Sequence, residues 1–140
     1  MKRVFVDTNV VLDFLLTRHP HANSSQQLFS MADRGEVDIT VSSLSLVNVH
    51  DILYGSCKIK TARSIIAKFK VLVTTHELND KIIDLALYDT AFSDFEDGVQ
   101  YYTALEAVCD VLVTRDLRGF KSSAIPVMTT EQVIGHFLAH

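Results

Sequence analysis

Cysteine is scarce in this sequence, and the two cysteines, Cys57 and Cys109, stand far apart in the chain. Neither forms a CxxC pair or a Cys/His motif with the spacing that binds zinc. A scaffold held by several disulfide bonds is excluded by the count alone. Both cysteines lie among apolar residues of predicted helices, so we expect buried free thiols in a reducing, cytoplasmic compartment.

Proline, glycine and long apolar runs are scarce as well. The 140 residues include 2 prolines and 5 glycines and no low-complexity tract, so we find no linker and expect a single domain over residues 1–140. No apolar run approaches the roughly 18 residues that a membrane span requires. Asp7 interrupts the apolar stretch that an N-terminal signal peptide would need. We therefore expect a soluble protein with no membrane partner.

An excess of positive charge is also missing. The formal net charge at pH 7 is −4, which argues against a protein that holds nucleic acid through its bulk charge. Any contact with nucleic acid must then come from local basic patches.

Short β-branched runs alternate with helical patterns from one end of the sequence to the other. Unbroken apolar strands between helices indicate a parallel sheet that is covered on both faces. We therefore predict an α/β fold, a three-layer α/β/α sandwich with a central parallel sheet of about five strands. The predicted strands are Val4–Val6, Val37–Val41, Val71–Thr74, Val111–Thr114 and Pro126–Met128. The predicted helices lie near Asn9–Leu16, Ser24–Arg34, Ser43–Tyr54, Thr61–Phe69, Asn79–Tyr88, Phe95–Val108 and Glu131–Leu138, the last with capping-box spacing at Thr129 and Gln132.

Three aspartates are predicted to meet at one edge of this sheet. Ligands of an open parallel sheet gather outside the carboxyl ends of its strands, where the following helices begin. Asp7 directly follows the first strand, and Asp116 follows the strand Val111–Thr114. Asp97 lies in the first turn of a helix that begins at the same edge. Any one of them could be a helix cap, but three together, with no Lys or Arg placed to neutralise all of them, indicate a functional cluster.

Such a cluster of carboxylates predicts a bound divalent cation. Neighbouring carboxylates raise each other's pKa unless a cation compensates their charge. A set of oxygen ligands without His or Cys suits Mg²⁺ or Mn²⁺, and such a site favours metal-assisted hydrolysis of phosphodiester bonds. The sequence has no GxGxxG, GxxxxGK[ST] or GxSxG motif, so we expect neither a nucleotide-cofactor site nor a serine nucleophile.

The stretches VFVDTNVVLDFL and FEDGVQYYTALEAVCDVLVTRD carry these three aspartates and resemble the PIN domain, and the resemblance covers essentially the whole chain. PIN domains are metal-dependent ribonucleases that include the toxins of bacterial VapBC toxin–antitoxin pairs. The resemblance implies an endoribonuclease with RNA as substrate, Mg²⁺ or Mn²⁺ as cofactor, and a small antitoxin and a second copy of the chain as partners. It also implies that Asp7, Asp97 and Asp116 are metal-binding catalytic residues, with Thr114 as a catalytic neighbour and Asn9 as a polar neighbour that contacts the substrate.

Position 48 departs from the pattern of the family. The family usually has a glutamate on the helix after the second strand, where this sequence has Asn48. An amide can bind a metal or hold a water but adds no charge, so Asn48 stays a catalytic candidate. Glu96 or Asp51 could supply the fourth carboxylate. We favour Glu96 as a metal ligand, although its spacing from Ser93 also matches a capping box.

Basic residues flank Asp116. Arg115 and Arg118 border the predicted acidic pocket, where positive charge would offset the repulsion between RNA phosphates and carboxylates. We therefore predict that both arginines bind substrate. Asp94 is interpreted as an ordinary charge at the start of a helix, and Asp13 as a solvent-facing residue of the first helix.

Two other classes of function stay open. A PIN-like module that binds RNA or a protein and cuts only weakly is favoured by Asn48. A phosphatase of the haloacid dehalogenase type also has an aspartate after its first strand. That class requires a second aspartate two positions later, where this chain has Asn9.

Overall fold

A five-stranded parallel sheet runs through the computed structural model, which describes residues 1–138. Its strands are β1 Arg3–Val6, β2 Asp38–Ser42, β3 Thr74–His76, β4 Val111–Val113 and β5 Val127–Met128, in the order β3-β2-β1-β4-β5. β1 lies at the centre because Val4 pairs with Ile39 of β2 on one side and with Val111 of β4 on the other. All strands run in the same direction, so their carboxyl ends share one edge of the sheet.

Helices cover both faces of this sheet, as the sequence predicts. They are α1 Thr8–Leu15, α2 Ala22–Asp33, α3 Ser43–Asp51, α4 Ala62–Lys70, α5 Asp80–Tyr88, α6 Phe95–Glu106 and α7 Thr130–Gln132. A π-helical segment, Ile52–Ser56, continues α3, another continues α7 over Val133–Leu138, and a 3-10 turn spans Leu117–Phe120. The predicted capping box at Thr129 and Gln132 is confirmed.

Alternation along the strands divides the core into two layers. Val4 and Val6 of β1 face one side, where they join a cluster with residues of α1, α2, α3 and α4. Phe5, between them, faces the other side and packs with Tyr101 and Ala104 of α6. A smaller cluster joins α5 to α6. The predicted three-layer α/β/α sandwich is therefore confirmed.

Two local predictions are wrong. The third strand begins at Thr74 rather than at Val71, because α4 runs on to Lys70 and a turn follows in which the N–H groups of Val71 and Leu72 bond back to Lys68 and Phe69. Cys57 is exposed at the end of the π-helical segment, whereas Cys109 is buried as expected. Among residues 1–138, no helix is long and apolar enough to cross a membrane.

Candidate active site

Asp7 lies between the end of β1 and the start of α1. Its Oδ1 accepts a hydrogen bond from the N–H of Thr8 at 2.7 Å, which makes it the N-cap of α1. Because β1 and β4 are neighbours in register, Thr114 comes alongside, and its hydroxyl donates to Oδ2 of Asp7 at 2.9 Å. Asp7 is only 8% exposed. Burial raises its pKa, and the hydrogen bonds from Thr114 and Thr8 partly offset that rise.

Asp97 lies in the first turn of α6, and the helix is capped by Asp94 rather than by Ser93. The carboxylate of Asp94 accepts the N–H groups of Glu96 at 2.8 Å and of Asp97 at 3.3 Å, so Asp94 is confirmed as a helix-start charge. The pKa of Asp97 is raised to about 7, chiefly by burial and then by the charges of the neighbouring acids Asp94, Asp7, Asp116 and Glu96. Asp97 therefore lies within electrostatic reach of the acids that surround it.

Asp116 reaches the same place from the end of β4. Its N–H donates to the hydroxyl of Thr114 at 3.1 Å, and its Oδ1 accepts the N–H of Gly119 at 3.3 Å. Thr114 thus links Asp7 to Asp116. A Cβ atom at Gly119 would lie 3.0 Å from Oδ2 of Asp116 and would overlap the carboxylate of Asp97. A side chain at this position would therefore displace the turn or the two carboxylates that it packs against.

Asn48 and Glu96 meet across the site. Asn48 Nδ2 donates to Glu96 Oε1 at 2.7 Å, from α3 to the first turn of α6. The amide at position 48 therefore holds a carboxylate from another helix in the region where the family usually has a glutamate. Asp51 also borders the site, but its side chain is largely exposed.

The pocket also contains a buried polar side chain that was not predicted from the sequence. Gln100 is 1% exposed, and its Nε2 donates to Ser45 Oγ at 2.9 Å and to Thr8 Oγ1 at 3.3 Å. Within residues 1–138, Oε1 of Gln100 has no hydrogen-bond partner. The inward position of Gln100, one turn of α6 before Ala104, is the signal that could have found it, since a buried amide requires partners.

These side chains enclose a pocket of about 440 Å³. The predicted site residues that line it are Asp7, Asn9, Asn48, Glu96 and Asp97, together with the further residues Thr8, Leu12, Asp51, Ile52, Asp94 and Gln100. Thr114 is buried against Asp7, and Asp116 adjoins Asp97 at Gly119.

The two arginines predicted to bind substrate differ in their surroundings. Arg118 is exposed on the 3-10 turn. Arg115 instead lies beside Asp13, with its Nε 3.2 Å from Oδ2 of that residue. The prediction that Asp13 faces solvent is wrong, because Asp13 is buried and is paired with Arg18 as well. Sequence spacing could not place Asp13, since both of its partners lie outside α1.

The sequence matches one known protein family over most of its length. The family model of the PIN domain matches residues 3–118, a span that contains all three aspartates. The chain belongs to the PIN-domain family. The curated Ribonuclease VapC1 of Aquifex aeolicus is similar to this PIN domain, with 28% identity over 134 residues, 94% of this chain and 92% of that protein.

Solved structures share the fold of this PIN domain at lower identity. A DNA-bound VapBC from Salmonella typhimurium matches with a TM-score of 0.70 and 15% identity, over 93% of this chain and 99% of that one. VapC20 of Mycobacterium tuberculosis, described as a toxin that cleaves the sarcin-ricin loop, matches with a TM-score of 0.68 and 14% identity, over 85% and 94% of the two chains. At these identities the comparison supports the fold alone.

The polar groups of this PIN domain have the chemistry of a hard-cation site. All candidate donors are oxygens, their charges repel one another, and the buried Oε1 of Gln100 adds an oxygen without a partner in the described chain. Among residues 1–138, no three His, Cys, Asp or Glu side chains stand together in a geometry that could already hold an ion. Asp7 and Asp116 direct oxygens to backbone N–H groups instead. A bound cation would therefore compete with these N–H groups for the carboxylate oxygens.

Proposed function

We propose that this protein is a metal-dependent endoribonuclease that hydrolyses RNA phosphodiester bonds. The observation that carries the proposal is that Asp7 and Asp97 line one pocket with Asp116 beside them, and that burial and the neighbouring acids raise the pKa of Asp97 to about 7. Such mutual repulsion is costly unless a cation occupies the site. The similarity to a ribonuclease of the same family supports the choice of reaction.

Each group of the chain has a distinct task under this proposal. Asp7, Asp97, Asp116 and Glu96 would hold Mg²⁺ or Mn²⁺. When bound, the cation would polarise the phosphate and lower the pKa of a coordinated water. Thr114 fixes Asp7 relative to Asp116, and Asn48 fixes Glu96. Asn9 lines the exposed rim, where it can contact RNA.

A small antitoxin is the partner that we propose for this ribonuclease. Several structures that share the fold are toxin–antitoxin assemblies, including a complex from Klebsiella pneumoniae with a TM-score of 0.66 and 16% identity, over 91% of this chain and 97% of that one. A small gene directly upstream would support the toxin assignment, and an isolated gene would favour RNA processing. We also propose that the protein acts in the cytoplasm, where its substrate and partner would be found.

Cleavage of total RNA in a Mn²⁺ titration tests the proposal. We expect wild-type protein to cut RNA and Asp97→Asn to lose cleavage. Asp97 is preferred to Asp7 for this test because Asp7 also caps α1. Asp33→Asn is the matched control, since it removes one carboxylate from an exposed position at the end of α2. Equal cleavage by Asp97→Asn and wild type would refute the proposed site.

Thermal melting provides a second, independent readout. A ligand that binds only the folded state stabilises it by mass action, so millimolar Mg²⁺ or Mn²⁺ should raise the melting temperature of wild-type protein. The increment should vanish in Asp97→Asn and persist in Asp33→Asn. A melting curve that neither cation shifts would count against a metal site.

A PIN-like module that binds RNA without cutting it is the second candidate. Asn48 favours it, because the resemblance to the family implies a glutamate at this position and an amide adds no charge. In that case RNA binding would persist without cleavage at any Mn²⁺ concentration.

A further inference from the structure

A buried aspartate joins two arginines beside the acidic pocket. The side chain of Asp13 is 1% exposed, whereas those of Arg18 and Arg115 are each 35% exposed. Arg18 Nε donates to Asp13 Oδ1 at 3.0 Å, and Arg115 Nε lies 3.2 Å from Oδ2. One carboxylate thus holds two guanidinium groups, which leaves a net positive charge at the surface. We call these three residues the arginine clamp.

The two arginines are held in different ways. Arg18 is fixed by a second hydrogen bond, from Nη2 to the carbonyl of Asn9 at 3.1 Å. Arg115 is held by charge alone, because Oδ2 of Asp13 has no hydrogen bond from the described residues. In the described part of the chain, both Nη groups of Arg115 and Nη1 of Arg18 also lack an acceptor. Guanidinium N–H groups that are free in this way can donate two hydrogen bonds to one phosphate group.

The clamp lies directly beside the proposed active site. Asn9 lines the pocket, and Asp13 follows it by one turn of α1, about 6 Å along the helix axis. Arg115 stands between Thr114, which bonds to Asp7, and Asp116. An RNA chain that runs from the pocket past Asn9 would therefore reach the clamp about one nucleotide further on.

A purely structural ion pair does not explain this arrangement well. Burying a carboxylate is costly, and apolar residues of similar volume often stabilise a fold as well as a buried ion pair does. Two positive charges for one negative charge also exceed what neutralisation of Asp13 requires.

We propose that Arg18 and Arg115, oriented by Asp13, bind the phosphate of the nucleotide next to the one that is cut. This inference rests on the proposed ribonuclease function and adds a substrate subsite to it. Asp13 is a positioning residue here, because it acts on RNA only through the two arginines. The bound group is one phosphodiester of a single-stranded RNA.

Binding measured against salt concentration tests the clamp. The probe is a short fluorescein-labelled single-stranded RNA, and affinity is read by fluorescence anisotropy in the Asp97→Asn background, so that the RNA stays intact. Each phosphate contact contributes about 0.7 to the slope of log affinity against log salt for single strands. We expect Arg18→Gln and Arg115→Gln each to lower the slope by about this amount.

The double variant separates a shared phosphate from bulk charge. If both arginines hold one phosphate, Arg18→Gln with Arg115→Gln should lower the slope no further than either single change. Arg34→Gln is the matched control, because Arg34 is an exposed arginine paired with Glu36 far from the pocket, after α2. It removes the same charge and should leave the slope unchanged. Additive losses, or losses equal to that of the control, would overturn the inference.

The same experiment separates a failure of the clamp proposal from misfolding of a variant and from a failure of the ribonuclease proposal. Melting curves show whether each variant is folded, and if Arg115→Gln is not, Arg18→Gln alone still decides between a lowered and an unchanged slope. RNA that binds with the expected slopes but is never cut by wild-type protein in Mn²⁺ would refute the ribonuclease and leave the clamp standing. Cleavage with slopes that no arginine variant changes would refute the clamp alone.

Discussion

The carboxyl group of Asp97 should make the stability of the metal-free protein depend on pH. Its pKa rises from the ordinary value of 3.8 to about 7 on folding, first through burial and then through the neighbouring acids. Between these two pKa values the folded state binds more protons than the unfolded state, so the free energy of unfolding falls as pH rises. The contribution of Asp97 to stability is therefore complete below about pH 4 and is lost as pH rises through about 7. Asp97→Asn should remove this dependence and melt at or above wild type at pH 8. Thermal melts in EDTA from pH 4 to 8 measure it.

Asp94 gives the contrasting case at the same helix end. Its carboxylate caps α6 through the N–H groups of Glu96 and Asp97, so Asp94→Ala should cost about 1 kcal/mol of stability. A large loss of stability at pH 8 from Asp97→Asn, similar to that of the cap variant, would contradict the interpretation of Asp97 as a repelled carboxylate.

The pair formed by Asn48 and Glu96 makes a prediction about the fourth ligand. If Glu96 supplies the carboxylate that position 48 lacks, Glu96→Gln should reduce cleavage and the Mn²⁺ melting increment far more than Asn48→Ala. Asn48→Glu should tighten Mn²⁺ binding while lowering stability in EDTA, because it sets a second carboxylate against Glu96. Mn²⁺ titrations of the melting temperature compare the three variants. Negligible effects at both positions would exclude the pair from the site.

At the scale of elements, the 3-10 turn Leu117–Phe120 should be as important as the helices that carry the acids. A methyl group at Gly119 would overlap Asp97 and press on Asp116, so Gly119→Ala should displace the turn. We expect a stability loss of about 1–3 kcal/mol and a weaker Mn²⁺ response. Gly55→Ala is the control, since nothing lies within 4 Å of its added methyl group. Equal melting and cleavage in the two variants would contradict this role for the turn.

The strands and helices also show which parts of the fold can be predicted from sequence patterns. Alternating apolar strands and helices predict the sheet and its layers, because burial on both faces leaves a continuous apolar signature. The start of β3 could not be predicted from Val71–Val73, since a β-branched run fits a turn after α4 as well as a strand. The burial of Asp13 depends on arginines that the chain brings in after α1 and after β4. Helical spacing within α1 contains no information about those partners.

At the scale of the whole molecule, the order of the strands brings the acidic side chains together at one edge of the sheet. β1 and β4 are adjacent in the middle of the sheet, so the acids that follow them are close together despite their distance in sequence. The sequence could predict this meeting because all parallel strands end at the same edge. It could not predict the exchange of hydrogen bonds among Thr8, Ser45 and Gln100, which depends on how three helices pack.

The difference in exposure between the two cysteines makes the opening of the fold measurable by thiol labelling. Cys57 is exposed, whereas burial raises the pKa of Cys109 to about 11 and hides it at the entrance to β4. A thiol reagent in excess should modify Cys57 at once and Cys109 only when the sheet opens. In Cys57→Ser, the slow labelling rate therefore reports how often the layer between α6 and the sheet opens, and a bound cation should slow this labelling further. Labelling of Cys109 as fast as that of Cys57 would show that β4 opens readily.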